Sequence, residues 1–405
     1  MLPGCSVDEA LGELLGQFER PQPVSVSPAD GEGLVLASPL ICNEIHPAHD
    51  TSAMDGYAVR ADCLKTADRN GPVTLTMVED IRAGFPPEKT LQPGQTSRIS
   101  TGGLVPTGAD AVVMREVVEA DGTEIKFFAP VESGLNIRRR GEHLGQGDEV
   151  VSAGRVVNPA VVGMAAYLGV EELKVFPSVS VAVLATGSEL VGSGSAVAKG
   201  QIRDSNSVSL AAALRQLGCR VTMQERVPDD PGRLDEALER AFSTSRVVMT
   251  SGGISAGWHD LVRQRIEKLG GQFTFHKLKM RPGKPLAFGR CQNSHFFCLP
   301  GNPVSSMVTF EVFVKPALLK LMGRASEARY LEAVLEQEIL KKPGFSIFYR
   351  GVMRLEPDGT RVVRLTGPQG SHMLRSLVDA NVLIRTEEKD ERLPSGSTVR
   401  VMPYG

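Results

Sequence analysis

Three glycine-bearing turns, ATGSEL (185–190), TSGGISAG (250–257) and LPGNPVS (299–305), each follow an apolar run and lead toward a helical one. Glycine lets backbone N–H groups close on an anion, and a helix N-terminus adds partial positive charge. Thr186, Gly187, Ser251, Gly252, Gly253, Pro300, Asn302, Pro303 and Ser305 are therefore candidate contacts for a phosphate-like group. Glu189, Asp229 and Asp260 accompany these turns. Carboxylates so placed suit a hard cation such as Mg2+ holding a pyrophosphate. They also suit helix capping, which periodicity alone favours for Asp229 and Asp230 ahead of Pro231. Positive charge gathers in HKLKMRPGKP (276–285), where Pro282 and Pro285 forbid regular helix and pin Lys277, Arg281 and Lys284 in one loop. Arg offers an oxyanion a bidentate fork and Lys a point charge.

A second set lies upstream. TSAMDGYAV (51–59) places Asp55 before Gly56, locally an ordinary turn pair. STGG (100–103), with Thr101, and LNIRRRGEH (135–143), with Arg138 and His143, are each nonspecific alone.

The elements around these residues change character along the chain. Residues 6–18 repeat with helical period behind Ser6 and Glu9, a capping box. Short β-type runs at 73–78, 95–100, 111–115 and 124–128, separated by turns, predict a small antiparallel module. Residues 158–168 read as a helix with Pro159 in its first turn. The run 179–185 is continuously apolar, as in a strand buried on both faces of a parallel sheet. Helices at 205–217, 231–243, 260–269 and from 303 to 321 then alternate with strands at 220–226, 246–250, 273–278, 286–289 and 295–299. That alternation predicts a doubly wound α/β domain, whose ligands lie beyond the carboxyl ends of its strands. Runs at 346–352, 361–365, 381–385 and 398–403 make a second all-β module.

Composition removes other classes. Lys and Arg number 45 against 47 Asp and Glu, so no basic excess exists to neutralise nucleic-acid phosphates. Aromatics at 5% are too few for rows of base-stacking platforms. The six cysteines show neither zinc-ribbon nor disulfide-framework spacing, which fits a reducing compartment. No signal peptide and no run of about 20 apolar residues is present, so the expectation is a soluble, cytoplasmic protein without membrane or nucleic-acid partners.

Taken in order, the segments SAMDGYAV (52–59), STGG with PTGADAVV (100–113), NIRRRGE (136–142), ATGSEL, IRDSNS (202–207), TSGGIS, RPGKP (281–285), LPGNPVS and GPQGSHMLRSL (367–377) resemble the molybdopterin molybdotransferase family, the MoeA type related to the gephyrin E domain. The resemblance is collinear over nearly the whole chain. It implies a four-part, L-shaped subunit acting as a homodimer: 1–44 with 139–176 as a discontinuous linking domain, 45–138 as a small β domain, 177–326 as the molybdopterin-binding α/β domain, and 327–405 as a β-barrel-like domain. It implies that adenylylated molybdopterin and molybdate give molybdenum cofactor and AMP with Mg2+, the substrate arriving from a molybdopterin adenylyltransferase partner. Glu189, Asp229 and Asp260 then match acidic active-site and metal positions, and Asp55 and Thr101 match functional positions of the β domain. Lys277 matches a family lysine, and Arg350 and Ser371 match cleft-facing positions of the last domain. Two departures are visible. His143 stands where the family carries Asp after Gly-Glu, an imidazole that can contact an oxyanion but does not replace a hard-metal ligand. Arg281 stands where the family carries Lys, which keeps the charge and changes its reach. An adenylyltransferase on the same α/β fold, and a pterin-binding scaffold without turnover, are the alternative readings.

Overall fold

Burial along Ser180–Thr186 is nearly complete, and its alternate residues face two different cores. Val181 and Val183 pack with Leu210 and Leu214 of the helix Asn206–Leu217. Ala182 and Leu184 pack with Leu234, Ala237 and Leu238 of the helix Pro231–Thr244. A strand covered on both faces has no solvent side for polar residues, which is why its sequence does not alternate. The computed structural model describes residues 2–253, 261–326 and 330–405. They form two units, one of residues 1–38, 153–162 and 172–405, the other of residues 39–152 and 163–171.

In the first unit a seven-stranded sheet runs in the order Arg220–Val227, Ser180–Thr186, Val247–Ser251, Ser294–Leu299, Ala287–Cys291, Gln272–Leu278, Leu2–Cys5. The first four strands are mutually parallel, and only Ala287–Cys291 runs against its neighbours. The sheet is therefore mixed, because a short turn joins Ala287–Cys291 to Ser294–Leu299 as a hairpin. The predicted capping box opens the helix Val7–Gly16, with Ser6 and Glu9 bonding each other's backbone N–H. That helix packs on the α/β core through Val7, Ala10 and Leu14. Residues 2–18 thus belong with the sheet rather than with the linking segment 1–44 expected above. Gly218, at φ 92°, closes Asn206–Leu217 in the left-handed conformation, as the sequence predicts. The expected helix to residue 321 is continuous, and it runs as Pro303–Thr309, a wider π-type turn Phe310–Val314, and Lys315–Leu321. Pro316 has no N–H to continue an α ladder, and the wider turn accommodates it.

The chain ends in a ring of strands in which Ser346–Leu355 pairs with both Arg361–Leu365 and Val382–Thr386. Leu331–Leu335 and Thr398–Pro403 complete the ring around Leu335, Val363, Ile384 and Val401. Closure removes free edges.

The second unit contains the whole of 45–138 together with flanking residues of the predicted linking segment. Its six-stranded sheet is antiparallel except where Val73–Ile81 and Gln95–Ile99 run parallel, a departure from the all-antiparallel expectation. Gly56 opens the strand Gly56–Val59, and a Cβ there would lie 2.0 Å from the Val113 carbonyl oxygen. Its role is close strand packing as much as turning. No described helix is long and apolar enough to cross a membrane.

Two glycine substitutions should therefore move stability in opposite directions. Gly12, exposed inside Val7–Gly16 with open space around it, should gain about 0.8 kcal/mol on replacement by Ala. Gly56→Ala should lose about 2–3 kcal/mol by overpacking. Calorimetric unfolding of the two variants checks both signs.

Candidate active site

The strands Ser180–Thr186, Val247–Ser251 and Ser294–Leu299 are parallel neighbours, so the three glycine turns leave the sheet side by side. Gly252 has φ 95°, and a Cβ on it would stand 2.4 Å from the Thr186 carbonyl oxygen. A Cβ on Gly253 would stand 2.8 Å from Thr186 Oγ1, and one on Gly301 3.6 Å from Gly252 Cα. The loops touch backbone to backbone. Asn206, in the first turn of its helix, ties two of them: its Nδ2 donates to Ser251 Oγ and to the Gly301 carbonyl, both at 2.8 Å. Because a carbonyl only accepts, the atom facing it must be Nδ2. Asn206 Oδ1 then stands buried with no partner among the described residues.

These turns frame a cleft of about 1280 Å³. Thr186, Gly187, Ser251, Gly252 and Gly253 line it, as do Pro300, Asn302 and Pro303. Ser305 does not: it is buried in the helix, where its carbonyl accepts the Thr309 hydroxyl.

Glu189 and Asp229 also line the cleft. The capping expectation splits between the two adjacent acids. Asp230 is the cap, accepting Arg233 N–H at 2.8 Å, whereas Asp229 bonds reciprocally with Ser188. Ser188 N–H donates to Asp229 Oδ2 at 3.2 Å, and Asp229 N–H donates to Ser188 Oγ at 3.0 Å. That pair fastens the first glycine turn to the end of the neighbouring strand. The Glu189 carboxylate folds over Gly187, where a Cβ would lie 2.5 Å from Oε2. Asp260 lies outside the described residues. Among the described residues no three His, Cys, Asp or Glu side chains gather tightly enough to hold a metal on their own. Two carboxylates facing an anion cleft nonetheless suit Mg2+, which takes one or two protein carboxylates and completes its shell with water and substrate phosphate.

Lys277 and Lys284 line the same cleft. Lys277 has φ 67°, a left-handed conformation uncommon outside glycine. In sheet order the acids follow the first two strands, while Lys277 lies in the sixth and Lys284 in the turn leading to the fifth. At ~4.8 Å per strand this sets acids and lysines roughly 15–20 Å apart. Arg281 is not among the lining residues; its guanidinium lies over the Phe345 ring, 4.3 Å from the centroid. Arg203, Asn206 and His372 line the cleft and were not singled out individually as site residues from the sequence. Their signal was their presence within the IRDSNS and GPQGSHMLRSL segments.

Arg350 departs from its cleft-facing expectation. It is 1% exposed, and its guanidinium donates to Ser376 Oγ and to the Phe348 and Gly370 carbonyls. Burial pulls its pKa down to about 10. Next to Gly370, Ser371 accepts Asn302 Nδ2 at 3.1 Å on its hydroxyl and Val304 N–H at 3.1 Å on its carbonyl. 

The Val304 bond caps the first turn of Pro303–Thr309 from outside the helix, so the third glycine turn is held by the C-terminal ring of strands.

The remaining predicted residues lie in the second unit. Asp55 Oδ1 accepts both the backbone N–H and the hydroxyl of Thr101, at 2.7 and 2.9 Å. Those bonds hold the Asp55 carboxyl below the usual carboxylate range. Arg138 is exposed and pairs in register with Thr51, close in sequence to Asp55. Arg139 is engaged with Asp50 at 2.7 Å. His143 is exposed, with its ring edge-on to Tyr167 at 6.0 Å between centroids.

Comparison with known proteins is consistent along the whole chain. Residues 5–169 match the MoeA N-terminal region (domain I and II), residues 182–320 a probable molybdopterin binding domain, and residues 332–404 the MoeA C-terminal region (domain IV). A molybdopterin molybdenumtransferase 2 of Mycobacterium tuberculosis is 38% identical over 94% of this chain and 95% of its own length. A molybdopterin molybdenumtransferase of Haemophilus influenzae is 35% identical over 98% of each chain. The crystal structure of a molybdopterin biosynthesis MoeA protein from Pyrococcus horikosii superposes with a TM-score of 0.82 at 30% identity, covering 99% of both chains. With its three regions matched in order and a relative 38% identical over nearly its whole length, the chain belongs to the MoeA-type molybdopterin molybdenumtransferase family.

Proposed function

We propose that this chain transfers molybdenum from molybdate to adenylylated molybdopterin and releases AMP. The observation that carries the reading is the charge layout of one cleft, with Glu189 and Asp229 toward one end of the strand order and Lys277 and Lys284 toward the other. An extended ligand with a pyrophosphate at one end and an oxyanion docked near the other fits that layout. The lysines bind molybdate as point charges. The backbone at Gly252 and Gly301, bare of side chains, lets phosphate oxygens approach the N–H groups of the turns. Asn206 holds those turns at fixed separation, so the donors are in place before the ligand arrives.

Mg2+ bound by Glu189 and Asp229 would offset the pyrophosphate charge that two carboxylates alone would repel. Water adds at the AMP phosphorus, the anhydride P–O bond breaks, and the molybdopterin phosphate leaves with that bond's electrons while the proton of the water is released to solvent. The dithiolene sulfurs then bond to molybdenum, and their protons leave with a displaced oxygen as water. Asp55 with Thr101 supplies a further set of substrate contacts, and the working form is a homodimer fed by an adenylyltransferase. The homodimer and the partner rest on the resemblance, and the Asp55–Thr101 contacts on the resemblance and on that exposed, hydrogen-bonded pair.

Glu189→Gln and Asp229→Asn should each leave the unfolding temperature unchanged, since both side chains are exposed, and lower molybdate-dependent AMP release about 100-fold. Full turnover by either variant, measured as AMP produced from adenylylated molybdopterin, would remove these acids from the reaction. Lys284→Ala should raise the KM for molybdate about tenfold, by loss of a charged hydrogen bond. The difference from the parent protein should narrow as salt rises, which steady-state kinetics at two ionic strengths would show.

A further inference from the structure

Phe345 lies outside every short motif named in the sequence, though within the matched C-terminal region, and two of the loop cations converge on it. The Arg281 guanidinium carbon sits 4.3 Å from its ring centroid and Lys284 Nζ 5.7 Å from it. Both distances fall within the range at which a cation is attracted by the ring quadrupole. The placement is fixed by backbone. Met280 and Arg281 pair in parallel with Ser346 and Ile347, and Ser346 N–H donates to the Lys279 carbonyl at 2.9 Å. The residue before that pairing is therefore held beside the Pro-Gly-Lys-Pro turn. Phe345 is partly buried, whereas Arg281 and Lys284 are exposed. Of the two cations only Lys284 lines the cleft.

We infer that Phe345 is a positioning residue for the oxyanion end of the cleft, its ring holding the Arg281–Lys284 loop so that Lys284 presents its charge to the bound anion. The inference rests on the functional reading above. Arg281 takes part by stacking: a flat guanidinium covers an aromatic face better than an ammonium does, which gives the Arg in place of the family Lys a physical purpose. A flexible four-carbon Lys stem loses rotamer freedom on binding an anion, and a ring that already restrains it lowers that cost.

The test is equilibrium binding of molybdate alone to the full chain, with kinetics beside it. Phe345→Leu should weaken molybdate binding and raise its KM about two- to fivefold while kcat stays the same. Phe345→Trp should bind as the parent does, and 4-cyanophenylalanine at this position, similar in shape but poor in ring electrons, should bind as weakly as the Leu variant. A Leu variant with parental affinity, or a cyano variant indistinguishable from the parent, overturns the role of Phe345. A parent protein that binds no molybdate overturns the functional reading itself, and this inference with it. If Phe345→Leu unfolds, the comparison between the cyano variant and the parent decides alone.

Discussion

A methyl group at position 252 would stand 2.4 Å from the Thr186 carbonyl oxygen, closer than any carbon and oxygen can rest without moving backbone. That prohibition organises the site. Parallel strands at ~4.8 Å spacing deliver three turns next to one another, but only turns without side chains at the contact points can close into one wall. Gly252 and Gly253 meet the condition, Gly301 packs beside Gly252 at ordinary contact distance, and the amide of Asn206 then fixes the gap between the second and third turns. The strands beneath are buried on both faces, so the turns are anchored to strands packed from both sides.

On this wall the charges are separated rather than mixed. An acid pair beside a lysine pair would neutralise itself in a salt bridge and leave nothing for a ligand. Glu189, Asp229, Lys277 and Lys284 form no such bridge among the described residues. The neighbouring interactions that do form fasten backbone: Asp229 with Ser188, Asp230 with Arg233 N–H, Ser371 with Asn302 and Val304. The C-terminal ring thus has a part in the site that is mechanical. Buried Arg350 donates to the Gly370 carbonyl, and Ser371 beside it bonds the third turn.

Much of this is legible in the order of the residues, and what is not has identifiable physical causes. The continuous apolar run of Ser180–Thr186, the capping box at Ser6 and the left-handed Gly218 follow from local rules, and the structure repeats them. The strand Leu2–Cys5 does not, because its Pro and left-handed Gly4 have no strand propensity and its pairing depends on an edge that the distant Gln272–Leu278 provides. Periodicity could not tell which of two adjacent acids caps a helix; the geometry assigns Asp230 to the cap and frees Asp229 for the cleft. Arg350 and Arg281 show the converse limit. A motif match places an arginine in the chain but says nothing of where its guanidinium lies, and here one is buried under a loop while the other covers a ring. Gly56 reads locally as half of a turn, although the backbone it admits comes from Val113, far along the chain.

The central claim is that one cleft receives both the anhydride and the metal oxyanion, at separate ends. The anomalous scattering of molybdenum in crystals grown with molybdate, AMP and Mg2+ tests it most directly. The account predicts a molybdenum peak beside Lys277 and Lys284, with the AMP phosphate in the same cleft near Glu189 and Asp229. A molybdenum peak among Arg138, Arg139 and Arg140 instead, with the lysines unoccupied, would contradict it.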